Sequence, residues 1–245
     1  MEEKTTFKAN IGEKRTEISS EIEYRKERLE LFAQMSASDV AEAPFVYLDR
    51  QLVTLILTRI HLFEKILNVH GSIVECGVHR GNSLMLYQHL STILEPSNFN
   101  RKIIGFDTFE GFDQRDINHK KESSKENLAS KTVFNSSLES VQDFVGKSAL
   151  VKLIPGYSPE TTRGIDPENQ YALVHLDADL YSPQFSGLEY FYPRMTPGGV
   201  IIIHDCNNEF TGSKRALNDF FLSKPETPII IPDKSGSAIV VKFKS

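Results

Sequence analysis

From Gly71 onward, short runs of β-branched and other apolar residues alternate with segments of helical periodicity. The predicted strands are Ser72–Cys76, Lys102–Phe106, Ala149–Ile154, Tyr171–Leu176 and Val200–Ile203. Strands that alternate with helices form a parallel sheet, because each connection crosses one face of the sheet and returns in the same direction. The sequence therefore predicts a doubly wound α/β fold, with helices on both faces of the sheet.

The C-terminal part of the chain departs from this alternation. Pro228–Ile231 and Ala238–Phe243 flank the turn-forming stretch Pro232–Gly236, which predicts a hairpin. Strands joined by so short a turn are antiparallel, so the last strand runs against the others. The expected sheet has seven strands, and its antiparallel last strand distinguishes it from a dehydrogenase-type Rossmann sheet.

The part of the chain before the sheet reads as helical. Residues 1–16 are polar, Glu17–Met35 has the pattern of an amphipathic helix, and Tyr47–Val69 contains a longer and more buried one. We predict that residues 1–70 form a helical layer of the same domain whose main part is residues 71–245. The polar stretch Asp113–Lys131 is predicted to be a mobile lid.

Composition limits the partners and the compartment. A formal net charge of −5 provides no basic surface for nucleic acid or for an anionic membrane, so a small-molecule partner fits better. Two cysteines, Cys76 and Cys206, cannot form a disulfide framework and are expected to be reduced, half-buried thiols. The N-terminus lacks the apolar core of a signal peptide, and charges interrupt Tyr47–Val69. We expect a soluble cytoplasmic protein.

An acid followed by two glycines stands where the first predicted strand ends. Glu75, Gly77 and Gly81 lead to Ser83, at the start of the next helix. Glycine allows a sharp turn and a close approach to a ligand, and open α/β sheets bind ligands at this edge. The segment lacks the G-x-G-x-x-G fingerprint for a pyrophosphate, and an acid favours a cationic ligand such as an ammonium or a sulfonium. The alternative is an ordinary strand-to-helix turn with a solvent-facing glutamate.

A second acid, Asp107, ends the next predicted strand. A carboxylate at this position can accept two hydrogen bonds from the ribose hydroxyls of an adenosine-type cofactor. The alternative is an aspartate that caps the following turn. Acids at successive strand ends make a stronger case for a cofactor site than either acid alone.

Several strings further along the chain carry a family resemblance when they are taken in order. They are Glu75–Gly81 (ECGVHRG), Phe106–Phe112 (FDTFEGF), Leu176–Tyr181 (LDADLY) and Gly198–Asp205 (GGVIIIHD). Together they resemble the macrocin O-methyltransferase family, which methylates hydroxyls of deoxysugars in macrolide, aminocoumarin and related natural products. The likeness extends over roughly Gly71 to Phe221.

The resemblance implies a class I, Rossmann-like methyltransferase fold with S-adenosylmethionine as the methyl donor. An antiparallel last strand is also typical of such methyltransferases. The resemblance further implies a divalent metal, usually magnesium, and dimers or larger assemblies. By position, Glu75, Gly77 and Asp107 match the family's cofactor motifs.

Three further acids match the family's catalytic segments. Asp177 matches a metal ligand, Asp179 matches a carboxylate assigned as general base, and Asp205 matches a metal ligand after the fifth strand. The family usually has an acid where this chain has His204, and magnesium prefers oxygen ligands. His204 is therefore a ligand, a neighbour that orients the ligands, or a rival base, and the metal identity stays open.

Three functions remain after this reading. The first is O-methylation of a sugar hydroxyl, on a nucleotide-linked sugar or on a glycosylated natural product. The second is O-methylation of a catechol or another small diol, which the same metal chemistry would serve. The third is a nucleotide-cofactor oxidoreductase or a catalytically silent binding module, and the missing phosphate fingerprint counts against the oxidoreductase. Tyr157 and Ser158 are expected to contact adenine, and His79 and His175 to be structural.

Overall fold

In the computed structural model, which describes residues 32, 34–48, 50–118, 136–145, 148–166, 168–206, 211–233 and 236–243, seven strands form one mixed sheet. In chain order they are β1 (Ser72–Cys76), β2 (Ile103–Asp107), β3 (Val151–Pro155), β4 (Tyr171–Leu176), β5 (Met195–Ile203), β6 (Ile229–Ile230) and β7 (Ala238–Val241). Their spatial order is β3-β2-β1-β4-β5-β7-β6.

The first five strands are parallel, and β7 is antiparallel to both β5 and β6. This order confirms the predicted doubly wound sheet with its antiparallel last strand. The strand β5 begins earlier than predicted, because Met195 already pairs with Tyr171. Val200 then pairs with Leu173, so the residues between Met195 and Val200 bulge opposite Ala172.

Nine α-helices connect and precede the strands within the described residues. They are α1 (Ala37–Glu42), α2 (Pro44–Tyr47), α3 (Arg50–Lys65), α4 (Asn82–Leu94), α5 (Gln114–Ile117), α6 (Leu138–Val145), α7 (Ser158–Thr161), α8 (Tyr181–Phe191) and α9 (Thr211–Phe221). None of these helices is long and apolar enough to cross a membrane. The predicted helix Glu17–Met35 falls mostly outside the described residues, as does the predicted lid beyond α5, and the division at residue 70 stays a prediction.

Two serines near helix starts hold neighbouring backbone through their hydroxyl groups. Oγ of Ser137 accepts the backbone N–H of Ser140 at the start of α6. Ser213 lies fully buried inside the first turn of α9. Its hydroxyl donates to the carbonyl oxygen of Asp179, because α9 packs beside the exit of β4.

The two faces of the sheet pack against different helices. Successive strand residues point to opposite faces, so Val74, Phe106 and Leu176 form one core together with residues of α8 and α9. Ile73 and Leu173 belong to the second core, with residues of α3, α4 and α6. By the same alternation, the side chains at positions 75 and 175 point towards α3. Both cysteines are free and are buried rather than half-buried.

Candidate active site

A cleft of about 350 Å³ opens at the carboxyl ends of the central strands. Its wall includes Gly77, Asp107, Asp177, Asp179 and Asp205, which the sequence analysis had singled out. This is the edge at which open α/β sheets bind ligands, and the volume is in the range of small-molecule sites. The structure therefore brings five of the predicted site residues to one cavity.

The floor of the cleft is a tight turn at Gly77. This residue has φ +94°, and its N–H donates to the carbonyl oxygen of Phe106 at 2.8 Å. A Cβ at this position would overlap the main-chain carbonyl oxygen of Asp177, so no other residue type fits here without displacing the exit of β4. Gly77 thus joins the exits of β1, β2 and β4 into one surface.

Asp107 is held at the edge of this floor by two backbone amides. The N–H of His79 donates to Oδ2 and the N–H of Phe109 donates to Oδ1, each at 2.7 Å. The second bond is the turn cap considered in the sequence analysis, so the carboxylate caps the turn and also lines the cleft. Each oxygen can still accept a further hydrogen bond, and the orientation of the carboxylate is fixed by the backbone.

The remaining residues of the predicted cofactor motif lie behind the floor. Glu75 is 2% exposed and contacts Ser83 inside the second core. Gly81, with φ +84°, precedes α4, where a Cβ would press against Val141 and Val145 of α6. None of the three lines the cleft. The predicted contact of Glu75, Gly81 and Ser83 with a cofactor stays a prediction.

Beneath the floor, a chain of buried charged groups connects α3 to the sheet. Nη2 of Arg59 lies 3.0 Å from Nε2 of His175, and Nη1 lies 3.8 Å from Oδ2 of Asp233, with all three side chains fully buried. A guanidinium only donates, so Nε2 of His175 is the acceptor and a neutral ring has its proton on Nδ1. That nitrogen lies 3.0 Å from Oε1 of Glu75.

The protonation of these groups follows from their burial. Burial, and then the charge of Arg59, hold the pKa of His175 well below its ordinary value. Burial, and then the neighbouring charge of Asp177, raise the pKa of Glu75 well above its ordinary value. His175 is thus a structural residue, as expected, and it lies 3.8 Å through Nε2 from Oδ2 of Asp177.

Three acids and one histidine meet on the wall of the cleft beside β4 and β5. Asp177, Asp179, His204 and Asp205 each provide one donor atom, and these atoms lie within 4.8 Å of one another. Nδ1 of His204 is 2.7 Å from Oδ1 of Asp177 and 3.3 Å from Oδ1 of Asp205. Oδ1 of Asp179 is buried and has no hydrogen-bond partner within the described part of the chain. The donor set and the unpaired oxygen fit a divalent cation.

The charges of this cluster are strongly coupled. Burial, and then a hydrogen bond and like charge from Asp205, raise the pKa of Asp179 well above its ordinary value. Burial alone would lower the pKa of His204, but the charge of Asp177 and hydrogen bonds to Asp177 and Asp205 raise it well above its ordinary value. Asp179 is only 8% exposed, and the Ser213 hydroxyl fixes its backbone by donating to its carbonyl oxygen.

A second group of possible ligands, Glu75, His175 and Asp177, lies next to the first. Its histidine nitrogen Nε2 is already taken by the guanidinium of Arg59. A permanent positive charge at that position excludes a metal ion from the same nitrogen by repulsion. Of these two groups of described residues, the cluster that contains His204 is therefore the better suited to hold a cation.

The opposite wall contains an acid that the sequence analysis missed. Asp116, in the stretch predicted as a lid, is 3% exposed and accepts a hydrogen bond of 2.6 Å from the hydroxyl of Tyr157. Burial, and then this bond, raise the pKa of Tyr157 to about 12. The guanidinium of Arg115 lies 4.0 Å from the centre of the Tyr157 ring and covers it. Tyr157 and Ser158 line the cleft, and their contact with adenine stays a prediction.

Four non-glycine residues of the described chain have positive φ, and each follows the exit of a different strand. They are His79 (φ 50°), Phe109 (φ 58°), Asp179 (φ 58°) and Asp205 (φ 56°). Histidine and aspartate tolerate this conformation better than most residues, whereas a bulky aromatic adopts it at a cost. The loops that form the cleft are therefore sharply turned at every strand exit.

Comparison with known protein families identifies the family to which this chain belongs. The model of the macrocin O-methyltransferase (TylF) family matches residues 57–237, which include every strand except β7 and all the cleft residues named above. The chain belongs to the macrocin O-methyltransferase family. The resemblance drawn from the sequence strings is thereby confirmed.

Two relatives of this family member are named as O-methyltransferases. A Streptomyces olivaceus 8-demethyl-8-(2,3-dimethoxy-alpha-L-rhamnosyl)-tetracenomycin-C 4'-O-methyltransferase is 30% identical over 146 residues, covering 56% of this chain and 53% of the relative. A Micromonospora griseorubida mycinamicin III 3''-O-methyltransferase is 27% identical over 144 residues, covering 56% of each chain. The chain spans about half the length of these relatives.

Solved structures of methyltransferases have a similar fold. The calicheamicin methyltransferase CalS11 aligns with a TM-score of 0.76 at 23% identity, covering 97% of this chain and 98% of that one. The O-methyltransferase NovP aligns with a TM-score of 0.68 at 20% identity, covering 78% of this chain and 81% of that one. These likenesses confirm the Rossmann-like methyltransferase fold.

Proposed function

We propose that this protein is an S-adenosylmethionine-dependent O-methyltransferase that acts on a hydroxyl of a deoxysugar, either nucleotide-linked or on a glycosylated natural product. The observation that carries the proposal is one cleft with Asp107 on its floor and the buried carboxyl of Asp179 on its wall. Family membership, and a relative whose named acceptor is a rhamnosyl-tetracenomycin, support a sugar acceptor.

The methyl donor is assigned to the floor of the cleft. The Asp107 carboxylate is held by two backbone N–H groups and can accept hydrogen bonds from both ribose hydroxyls. The turn at Gly77 presents backbone without a side chain, which allows a close approach. S-adenosylmethionine supplies an electrophilic methyl group on a sulfonium, and the acid-rich wall favours that positive charge over a pyrophosphate.

Asp179 is assigned as the general base. A sugar hydroxyl is a weak nucleophile at neutral pH and must lose its proton as the new bond to carbon forms. The methyl group passes from sulfur to the hydroxyl oxygen, the electrons of the broken bond stay on sulfur as a thioether, and the hydroxyl proton passes to Asp179. Burial positions this carboxyl away from bulk water, and Ser213 holds its backbone in place.

Asp177 and Asp205 are assigned as ligands of a divalent cation, with magnesium as the ion that the family resemblance implies. Both carboxylates face the cleft at the exits of adjacent strands. A bound cation would lower the pKa of a hydroxyl that coordinates it and would reduce the mutual repulsion of the acids.

The test combines binding with an acceptor screen. Calorimetry with S-adenosylmethionine should give a saturable signal, and methyl transfer should appear with nucleotide-activated deoxysugars or glycosylated natural products, with and without added metal. The panel includes catechols and other diols as the alternative acceptor class. Transfer only to catechols, or no binding of the methyl donor, would refute the proposal.

We also propose a homodimer or larger assembly in the cytoplasm, and light scattering of the full chain tests the assembly.

A further inference from the structure

The two histidines beside the acid cluster have different surroundings. His175 points towards α3, where its Nε2 accepts from the guanidinium of Arg59 and its Nδ1 faces Glu75. His204 instead directs Nδ1 at two carboxylates, those of Asp177 and Asp205. Only the second of these two rings directs a nitrogen at the acid cluster rather than at a guanidinium.

The spacing around His204 matches a shared ion. Ligand atoms that lie at about 2.0–2.2 Å from one metal ion, at right angles to each other, are separated by about 3 Å. Nδ1 of His204 lies 2.7 Å from the oxygen of Asp177 and 3.3 Å from the oxygen of Asp205, on either side of that value. The buried, unpaired Oδ1 of Asp179 belongs to the same group of donor atoms.

We propose that Nδ1 of His204 is itself a ligand of the cation held by Asp177 and Asp205, and that the site selects a transition-metal dication such as Co²⁺ or Zn²⁺ over Mg²⁺. This inference rests on the cation site of the proposed function. Imidazole nitrogen suits the later first-row transition metals, whereas Mg²⁺ strongly prefers oxygen. A site with one nitrogen and two or three carboxylate oxygens therefore shifts the preference away from magnesium.

The competing arrangement gives His204 no contact with the ion. In that case the ring of His204 donates a hydrogen bond to Asp177 and only orients the carboxylate. The ligands of the ion would then all be oxygen atoms, and the site would bind Mg²⁺, the ion that the family resemblance implies. The two arrangements differ in metal preference and in whether a nitrogen nucleus is coupled to the ion. Both differences can be measured without any turnover of the enzyme.

The first experiment is calorimetric titration of the full chain, without a polyhistidine tag, with Co²⁺ and with Mg²⁺. The wild type should bind Co²⁺ more tightly than Mg²⁺ by roughly tenfold or more. In His204→Asp the preference should shrink or reverse, because the nitrogen is replaced by a further carboxylate. His79→Asn, which changes a histidine of the same cleft outside the cluster, should retain the wild-type preference. Equal preference in wild type and His204→Asp would overturn the inference.

The second experiment detects the bond directly. With Mn²⁺ as a paramagnetic probe, pulsed electron paramagnetic resonance should show modulation from a coordinated imidazole nitrogen in the wild type and in His79→Asn. The modulation should be absent in His204→Asp and in the second variant His204→Asn, which serves if the aspartate variant does not fold. A signal that persists without His204 would assign the nitrogen to another residue, and no signal in the wild type would leave an all-oxygen site.

Failure of this inference is separable from failure of the proposed function. Calorimetry with S-adenosylmethionine and the transfer assay are run on the same preparations. Binding of the methyl donor together with transfer in Mg²⁺, and without a nitrogen signal, would overturn the role of His204 and leave the methyltransferase intact. No donor binding and no transfer with any metal would instead refute the proposed function, whatever the metal preference.

Discussion

Nη2 of Arg59 lies 3.0 Å from Nε2 of His175, and both side chains are completely buried between α3 and the sheet. The same guanidinium lies 3.8 Å from Asp233, in the connection between β6 and β7. One cation therefore connects a helix that precedes the sheet, a central strand and the C-terminal hairpin. Asp177, on the wall of the cleft, lies 3.8 Å from the same histidine, so the buried group formed by Arg59 and His175 also supports this wall.

Replacement of this guanidinium should destabilise the fold. Arg59→Met keeps the apolar stem but leaves Asp233 without its buried cation, which is expected to cost about 3–5 kcal/mol in the free energy of unfolding. Urea denaturation followed by circular dichroism measures this difference. Arg163→Met, at an exposed position, is the matched control and should change the value by less than about 0.5 kcal/mol. Similar values for the two variants would contradict the structural role of Arg59.

Asp179→Asn should lower the rate of methyl transfer without weakening the binding of S-adenosylmethionine. The amide has nearly the same shape but cannot accept the hydroxyl proton, so kcat is expected to fall by about 10²–10⁴-fold. Calorimetry should show S-adenosylmethionine binding close to that of the wild type, because Asp107 and Gly77 are unchanged. A variant that retains kcat would remove Asp179 from the role of base.

The acid side of the pH profile should report the same carboxyl. Burial, followed by the hydrogen bond and charge of Asp205, raises the pKa of Asp179, so it stays protonated at pH values where an ordinary aspartate is ionised. A general base works only when ionised, and kcat/KM should therefore rise with pH through a value above the ordinary range of about 4. Added cation reduces the repulsion between the acids and should move this rise to lower pH. A pH profile of kcat/KM that does not change when the cation is added would contradict a site that Asp179 shares with the cation.

Asp107→Ala should abolish binding of S-adenosylmethionine. The substitution removes the acceptor proposed for the ribose hydroxyls. It also removes the two hydrogen bonds that the carboxylate accepts from the backbone N–H groups of His79 and Phe109. Asp107→Asn keeps one carbonyl oxygen and should weaken binding rather than eliminate it. Calorimetry measures both affinities, with circular dichroism as the check that each variant is folded. Wild-type affinity in a folded alanine variant would place the ribose elsewhere.

Gly77→Ala should perturb the floor of the cleft far more than an alanine elsewhere. Its Cβ would overlap the carbonyl oxygen of Asp177, and φ +94° is unfavourable for any residue with a side chain. The expected loss is more than about 2 kcal/mol of unfolding free energy. At Gly164 an added Cβ meets nothing within 4 Å, so Gly164→Ala is the control and should be neutral within about 1 kcal/mol. Thermal and urea denaturation compare the two.

The acids of the cleft could be predicted because strand ends are visible in the sequence. Asp107 and Asp177 directly follow apolar runs, and parallel strands bring such ends together at one edge. Glu75 lies within β1, where it pairs with Gly105 and His175, and its side chain is buried behind the floor. A difference of two residues along the strand thus separates a residue behind the floor from the acids that line the cleft.

A charge in an apolar stretch argues against a membrane span but does not by itself predict that Arg59 is buried beneath the cleft. The spacing of the apolar residues around Arg59 nevertheless indicates that it lies on the buried face of its helix. Leu55, Leu62, Phe63 and Ile66 lie four residues before it and three, four and seven after it, which is one helical face, and all of them are buried. An arginine within the apolar stripe of a helix must find a buried partner, but the sequence does not say which.

Phe109 has the least suitable side chain of the four described non-glycine residues with positive φ, and its N–H is one of the two that orient Asp107. Its strained backbone costs about 1–3 kcal/mol, which the packing of its ring in the second core must offset. Phe109→Gly would relieve the strain but would also remove a buried ring, which costs about 3–5 kcal/mol and exceeds the relief. The same change would loosen the turn that orients the carboxylate, so at this position protein engineering for heat resistance gains nothing by removing strained backbone.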